Sequence, residues 1–173
     1  MTWRRMRAPA AALAAALGAC APSLNWRDVQ LADLRALFPC RPDVHQRRVV
    51  LAGATAPMQM HVCEAAGLTF AVAFVDLDTP EQVERGLIEL RALAVGNIGG
   101  SGEQRTAGSV PGMTPNPQAG QVSVQGRLPD ASPVRLRAAF FSKGLRVFQA
   151  TVVGADPGDE ATQPFFGGLK LAS

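Results

Sequence analysis

The segment from Leu68 to Leu77 constrains the fold most, because its apolar residues alternate onto both faces of a strand. One face carries large side chains and the other carries smaller ones: Leu68, Phe70, Val72 and Phe74 against Ala71, Ala73 and Val75. A strand that is apolar on both faces is expected to be central in its sheet and covered on both sides. The small alanine face would let a helix approach closely.

A helix is predicted directly after this strand, over about 79–96. Thr79 is a favourable N-cap, Pro80 lies at the first helical position, and Gln82 completes a capping-box pattern. An apolar stripe follows at helical spacing: Val83, Leu87, Leu90 and Ala94. This stripe would cover one face of the central strand.

Other strand patterns lie on both sides of this pair, at 47–52, 58–63, 121–127, 133–141 and 145–153. A second group of apolar residues recurs at helical spacing and predicts a short helical turn before Pro39: Leu31, Leu34, Leu37 and Phe38. A short C-terminal helix is expected after Asp156, docking Phe165, Phe166 and Leu169 on the sheet. The order predicts an α+β fold, a mainly antiparallel sheet of about five to seven strands covered by one long helix and a short C-terminal helix.

Residues 99–120 hold six glycines and three prolines, and they contain few large apolar side chains. We predict a flexible loop here, with an irregular strand near 104–110 as the one regular element within it. A connection of this length inside a small domain either carries a function or is conformationally flexible.

The positive net charge is confined to the start of the chain. Of the 17 Lys and Arg residues, Arg4, Arg5 and Arg7 precede residue 8, and the remaining 14 balance the 14 Asp and Glu residues. No basic stripe with interleaved aromatic residues is present, so we expect no nucleic-acid partner.

The first twenty residues read MTWRRMRAPAAALAAALGAC, a basic start followed by an apolar stretch and Leu17-Gly18-Ala19-Cys20. The apolar stretch is too short for the roughly 30 Å core of a bilayer. The layout resembles a bacterial lipoprotein signal, which implies a signal peptide over 1–19, lipidation of Cys20 with fatty acids such as palmitate, and a tether over 20–25. Several acyl chains hold a protein on a membrane almost permanently. The alternative is a cleaved secretory signal with an incidental Cys20; Ala21, where Asp would indicate inner-membrane retention, favours the outer membrane.

The chain contains three cysteines, Cys20, Cys40 and Cys63. If Cys20 carries lipid, Cys40 and Cys63 remain as an even pair in an oxidising compartment, and we predict that they form a disulfide. The bridge would close a loop of about 24 residues. The alternative is two separate thiols, one of them reactive, although neither has a C-x-x-C spacing.

Residues 26–173 are predicted to form a single α+β domain, and a second resemblance concerns this part. The chain resembles small uncharacterised bacterial lipoproteins in four features: Phe38-Pro39-Cys40-Arg41-Pro42, the predicted long helix, the hairpin predicted from the strand patterns at 133–141 and 145–153, and Phe165-Phe166. Their layout is in turn similar to PsbP-like domains, which implies an antiparallel sheet flanked by helices. The chain departs from this pattern at Gly167-Gly168, where a more polar segment is usual, and the resemblance implies no catalytic residue.

The string Met58-Gln59-Met60-His61-Val62-Cys63 is the most suggestive for a ligand, because thioether, imidazole and thiolate are soft donors suited to copper(I). In a strand, however, Met58 and Met60 share one face while His61 and Cys63 share the other. The simpler interpretation is two core methionines, a surface histidine and a structural cysteine. Met58, Met60 and His61 are the candidates for a soft metal ion, and no metal site is predicted.

Catalytic signals are weaker still. His45 lies in a polar run, 43–48, that is typical of a solvated loop, and the chain contains neither a tyrosine nor a G-x-S-x-G nucleophile elbow. We find no convergent set of ionisable groups in the sequence. We therefore predict that the protein has no catalytic residue, binds no cofactor and is not an enzyme.

These observations favour a lipid-anchored, periplasm-facing binding or scaffolding module of the cell envelope. Its expected partners are the membrane, through the N-terminal lipid, and an envelope protein whose contact residues the sequence does not identify. Outward-facing Arg135 and Arg137 would suit an acidic partner. Two alternatives stay open: a carrier of a small ligand or soft metal ion, with its site between sheet and helix or under the 99–120 loop, and an enzyme with an unrecognised site near His45 or His61.

Overall fold

A computed structural model describes residues 24–172. Its elements in chain order are β1 (Arg27–Leu31), β2 (Leu34–Phe38), β3 (Asp43–Leu51), β4 (Ala54–Ala65), β5 (Leu68–Asp76), α1 (Pro80–Asn97), β6 (Ser101–Thr106), β7 (Gly120–Arg127), β8 (Pro133–Lys143), β9 (Arg146–Gly154), α2 (Asp159–Gly167) and β10 (Lys170–Leu171). The predicted signal peptide over 1–19, the lipidation site Cys20 and residues 21–23 of the tether lie outside the described residues. Neither described helix is long and apolar enough to cross a membrane.

The strands form two sheets, and every pairing is antiparallel. The large sheet has seven strands in the order β3-β4-β5-β9-β8-β7-β6, and the small sheet has the order β1-β2-β10. The prediction of a mainly antiparallel fold is confirmed. The predicted count of about five to seven strands fits only the large sheet, because the small sheet was not expected.

Strand β5 lies between β4 and β9, and both of its faces are buried. Phe70, Val72 and Phe74 belong to a core that the small sheet and α2 cover. Ala73 and Val75 belong to a second core under α1. The alternation along this strand therefore generates a three-layer arrangement with the large sheet in the middle, as the sequence predicted for a strand covered on both sides.

Helix α1 begins with the capping box that the sequence predicts. The Gln82 backbone N–H donates to Thr79 Oγ1 at 3.3 Å, and the Thr79 backbone N–H donates to Gln82 Oε1 at 3.1 Å. These two bonds satisfy donors that a helix start would otherwise leave unpaired. The buried stripe along the helix includes Val83, Leu87, Leu90 and Ala94, which pack on the large sheet.

The prediction of a helical turn before Pro39 is wrong, because Leu34–Phe38 is strand β2. Leu34, Ala36 and Phe38 alternate inward at period two and are fully buried, whereas Arg35 is exposed. A tight turn at Ala32, with φ of 52°, folds β2 back on β1. Pairing with β1 and β10 supplies the hydrogen bonds that a helix would have made internally.

Within the predicted loop of 99–120, the irregular strand expected near 104–110 lies earlier, because Ser101–Thr106 forms the edge strand β6, which pairs with β7 and shifts register between Ser101 and Gln104. Residues 107–119 remain without helix or strand, yet backbone hydrogen bonds tie them to the body of the protein. Thr114 N–H donates to the Ser142 carbonyl at 2.8 Å, and Leu171 N–H donates to the Pro111 carbonyl at 2.9 Å. The segment thus closes over one end of the core.

Candidate functional site

A polar cleft of about 520 Å³ lies on the large sheet where α2 and the small sheet stop covering it. Strands β6, β7 and β8 form its floor, and α2 forms its wall. Among the side chains that line it, the hydrogen-bonding ones dominate: Gln104, Thr106, Ser109, Gln121, Ser123, Arg137, Thr162 and Gln163. The volume falls in the range of about 300–1,000 Å³ that is usual for ligand sites.

The register of the three strands places these side chains on one face. Gln104 pairs with Ser123, which pairs with Arg137, and Thr106 pairs with Gln121. Directly opposed residues of antiparallel strands point to the same side of the sheet. The intervening residues of β7, Val122 and Val124, point to the other side and pack under α1.

Helix α2 places Thr162, Gln163 and Phe166 along the cleft. Phe165 points the opposite way into the core and is fully buried, which fixes the rotation of the helix. It contacts Phe38 and Phe70 in edge-to-face geometry, with ring centroids 5.5 and 5.4 Å apart. The docking of one phenylalanine therefore leaves the next, half-buried Phe166, at the cleft.

The positive charge at the cleft, that of Arg137, is paired with a carboxylate of the protein itself. Arg137 Nη1 donates to Asp159 Oδ1 at 2.6 Å and also to the Thr162 hydroxyl, which itself donates to the Gly158 carbonyl. In an adjoining cavity of about 360 Å³, Arg135 Nη1 donates to Asp156 Oδ1 at 2.9 Å. The two arginines predicted to face outward are thus held by acidic partners next to α2.

The structure does not bring the three metal candidates together. Met58 and Met60 lie on the face of the large sheet that α1 covers, whereas His61 lies on the opposite face. Cys63 shares the face of His61 and is bonded to Cys40, with their Cα atoms 6.0 Å apart. The string 58–63 therefore presents no convergent donor set, and residues 24–172 hold no group of three or more His, Cys, Asp or Glu arranged for a metal ion.

The interpretation of His61 as a surface residue is wrong. Its side chain is buried, and its ring stacks on Phe74 with centroids 6.5 Å apart. The Gln59 amide donates to Nε2 at 3.0 Å, while buried Nδ1 has no partner among the described residues. Burial lowers the pKa of His61 because the charged imidazolium loses its hydration.

The second histidine is separated from the first by the sheet. His45 is exposed on edge strand β3, and it pairs with Met60 on the α1 side. His45 and His61 therefore lie on opposite faces and do not form a joint site. Neither lines the cleft.

The sequence did not identify the cleft, although one signal pointed to it. Gln121, Ser123 and Gln125 alternate with Val122 and Val124, which indicates one polar and one buried face. Such a pattern is also typical of any half-exposed strand, so it does not reveal a cleft by itself. No protein-family model matches the chain, and no curated protein matches its sequence.

Proposed function

We propose that the protein is a non-catalytic binding module of the cell envelope that engages its partner or ligand through the polar cleft. The observation that carries the proposal is the lining of the cleft, where amides and hydroxyls outnumber apolar side chains. These groups donate and accept hydrogen bonds and suit recognition. The same cleft fits the alternative of a small-ligand carrier, since its volume is that of an ordinary ligand pocket.

The envelope location is part of the same proposal, with Cys20 as the lipidated residue and the outer membrane as the favoured site. The disulfide between Cys40 and Cys63 supports it, because such bonds persist in oxidising compartments. The PsbP-like arrangement, with one long helix and a short C-terminal helix flanking the sheet, also belongs to the proposal.

The attachment point supports an accessible cleft. Leu24 packs on the core, and the Asn25 N–H donates to the Pro39 carbonyl at 2.8 Å. Four residue steps from Cys20 to Leu24 would reach at most about 14 Å, so a lipid on Cys20 would hold this corner close to the membrane. The corner leads into β3 and β4, at the opposite end of the large sheet from β6 and β7, so the cleft would remain open to the periplasm.

Blocking the cleft tests the proposal. Ser123→Arg places a large side chain on the exposed floor, and Thr55→Arg makes the same change on the same face near the far end of the sheet. Both full-length variants, extracted from membranes beside wild type, would be analysed by mass spectrometry for bound proteins and small molecules. We expect Ser123→Arg to lose at least about tenfold of a component that wild type and Thr55→Arg retain. Equal retention by both variants, or equal loss, would contradict the proposal.

A further inference from the structure

The cleft exposes hydrogen-bonding side chains that the protein itself does not use. No side-chain hydrogen bond joins Gln104, Gln121 or Gln163 to another residue within 24–172, and the same holds for Thr106, Ser109 and Ser123. Each carboxamide offers two donors and a carbonyl acceptor, and each hydroxyl both donates and accepts. A ligand that replaces water here must therefore donate and accept at several positions.

The cleft presents no uncompensated charge that would favour an ionic ligand. The only charged side chain that lines the cleft is Arg137, and it already pairs with Asp159 and Thr162. The adjoining cavity repeats the arrangement with Arg135 and Asp156. The positive charge of Arg137 is already compensated by Asp159, and a cation would meet no carboxylate among the residues that line the cleft. A neutral ligand can bind without breaking these ion pairs.

The cleft also has an apolar surface beside its polar floor. Phe166 is half-buried at the wall and is held against Phe165 in edge-to-face geometry, with centroids 5.3 Å apart. A ligand that matches the whole cleft combines hydroxyl groups at its rim with a C–H face that packs on this ring. Sugar rings have this combination.

The site favours a sugar chain over an extended peptide. A peptide that adds to a sheet binds through the backbone groups of an edge strand, such as β6. The groups concentrated here are side chains on the face of the sheet, two strands deep, on β6 and β7. These side chains would form hydrogen bonds with the substituents of a ligand that lies across the strands.

We infer that the cleft binds a neutral, N-acetylated oligosaccharide. Gln104, Gln121 and Gln163 present carboxamides, and an acetamido group carries the complementary N–H and C=O in the same planar unit. Ser123 and Thr106 lie beside Gln104 and Gln121, where they meet ring hydroxyls. This inference rests on the proposed binding function of the cleft and specifies its ligand class.

Calorimetric titration of the full-length protein in detergent tests the inference with two sugars of equal length. Chitotetraose carries an acetamido group on every ring, whereas cellotetraose lacks them. We expect chitotetraose to bind at least about tenfold more tightly, because two or more hydrogen bonds to carboxamides are lost with cellotetraose. A tetrapeptide of neutral residues serves as the third probe and should show no binding.

The matched variants are a double substitution in the cleft, Gln104→Ala with Gln121→Ala, and Gln46→Ala on the opposite edge strand β3, where Gln46 is exposed. The double variant should bind chitotetraose at least about tenfold more weakly than wild type. Gln46→Ala should bind like wild type. Matching thermal unfolding curves for the three proteins would show that the cleft variant remains folded.

Equal affinity for the two tetraoses, tighter binding of the tetrapeptide, or an unchanged double variant would overturn the inference. If neither sugar binds while Ser123→Arg still loses its envelope component, the saccharide inference fails and the proposed function stands. If neither sugar binds and Ser123→Arg retains every component, both fail.

Discussion

At the scale of single residues, His61 is the most unusual group in the core. It is 6 % exposed, its Nε2 accepts a hydrogen bond from Gln59, and its Nδ1 has no partner within residues 24–172. A buried N–H without a partner costs free energy, and a charged ring would cost more. The buried site therefore favours the neutral imidazole of His61 over the charged imidazolium.

This arrangement predicts a pH dependence of stability. Burial sets the pKa of His61 in the folded protein below its ordinary value of 6.5, so the unfolded chain binds the proton more readily. The contribution of neutral His61 to the free energy of unfolding is therefore complete above about pH 6.5. It is lost as the pH falls below that value. We expect the free energy of unfolding, measured by urea titration, to decline on this acid side.

Substitution separates His61 from the other titrating groups. His61→Phe keeps a planar ring against Phe74 but removes the proton-binding site, so it should flatten the decline below about pH 6.5. His45→Gln, at an exposed position on β3, is the control and should retain the decline. A His61→Phe protein with the wild-type pH profile would contradict this account.

A second residue, Arg146, joins parts of the chain that no local pattern connects. Its guanidinium donates to Asp76 at 2.7 and 2.9 Å and to Asp33, in the turn of the small sheet, at 2.8 Å. The charge also lies 5.1 Å from the centroid of the Phe74 ring. Hydrogen bonds to Asp76 and Asp33 raise the pKa of Arg146 further above its ordinary value, and a guanidinium is charged across the physiological range in any case.

At the scale of elements, the disulfide is the covalent link between the segment after β2 and strand β4. Cys40 follows Phe38 of the small sheet, and Cys63 lies in the large sheet opposite Phe70. The bond therefore holds the small sheet over the large one. Its sequence separation of 23 residues gives it a sizeable loop to constrain in the unfolded chain.

We predict that Cys40→Ser with Cys63→Ser lowers the free energy of unfolding by about 3 kcal/mol. Urea unfolding, followed by the fluorescence of Trp26, which packs on Phe70, is the measurement. Reduced wild-type protein should unfold at the same lowered urea concentration as the double variant. Identical unfolding of oxidised and reduced wild type would show that the bond contributes no stability.

The sequence predicted the elements whose signals are local. The two-faced alternation of β5 and the Thr79–Gln82 capping box each lie within a few residues, and both are present in the structure. Strand β2 was missed because Leu34 and Leu37 also fit helical spacing, and only its pairing with β1 and β10 decides between the two. Short apolar runs of this kind do not distinguish helix from strand.

The cleft could not be predicted, because four elements contribute to it. Gln104, Ser123, Arg137 and Gln163 are spread over 60 residues of sequence and meet only through strand register and the docking of α2. Its lining also lacks the acidic, histidine and cysteine groups that usually mark a site in a sequence. A neutral binding surface leaves little trace in composition.

At the scale of the whole molecule, three layers separate the tasks that we propose for the protein. Helix α1 covers one face of the large sheet, the small sheet and α2 cover part of the other, and the uncovered part over β6, β7 and β8 forms the cleft. The tether corner at Asn25 and Pro39 lies toward the β3 and β4 end of that sheet. Membrane attachment and ligand recognition would thus lie at opposite ends of the large sheet.

The proposed anchor predicts a change of compartment. Native protein extracted from the producing bacterium should begin at Cys20 and carry a mass increment for a diacylglyceryl group and an additional acyl chain. Cys20→Ala should move the protein from the membrane to the soluble fraction, since acyl chains supply the membrane affinity. An unlipidated native protein that begins at Met1 would contradict the proposed location.

Site-specific photo-cross-linking in living cells would show directly whether the protein binds through the cleft. A photoreactive side chain replaces either Ser123, on the cleft floor, or Thr55, at the far end of the same sheet face. We expect covalent adducts with an envelope component from position 123 and none from position 55. Adducts of equal yield from both positions, or adducts from position 55 alone, would contradict the claim that the cleft is the binding site.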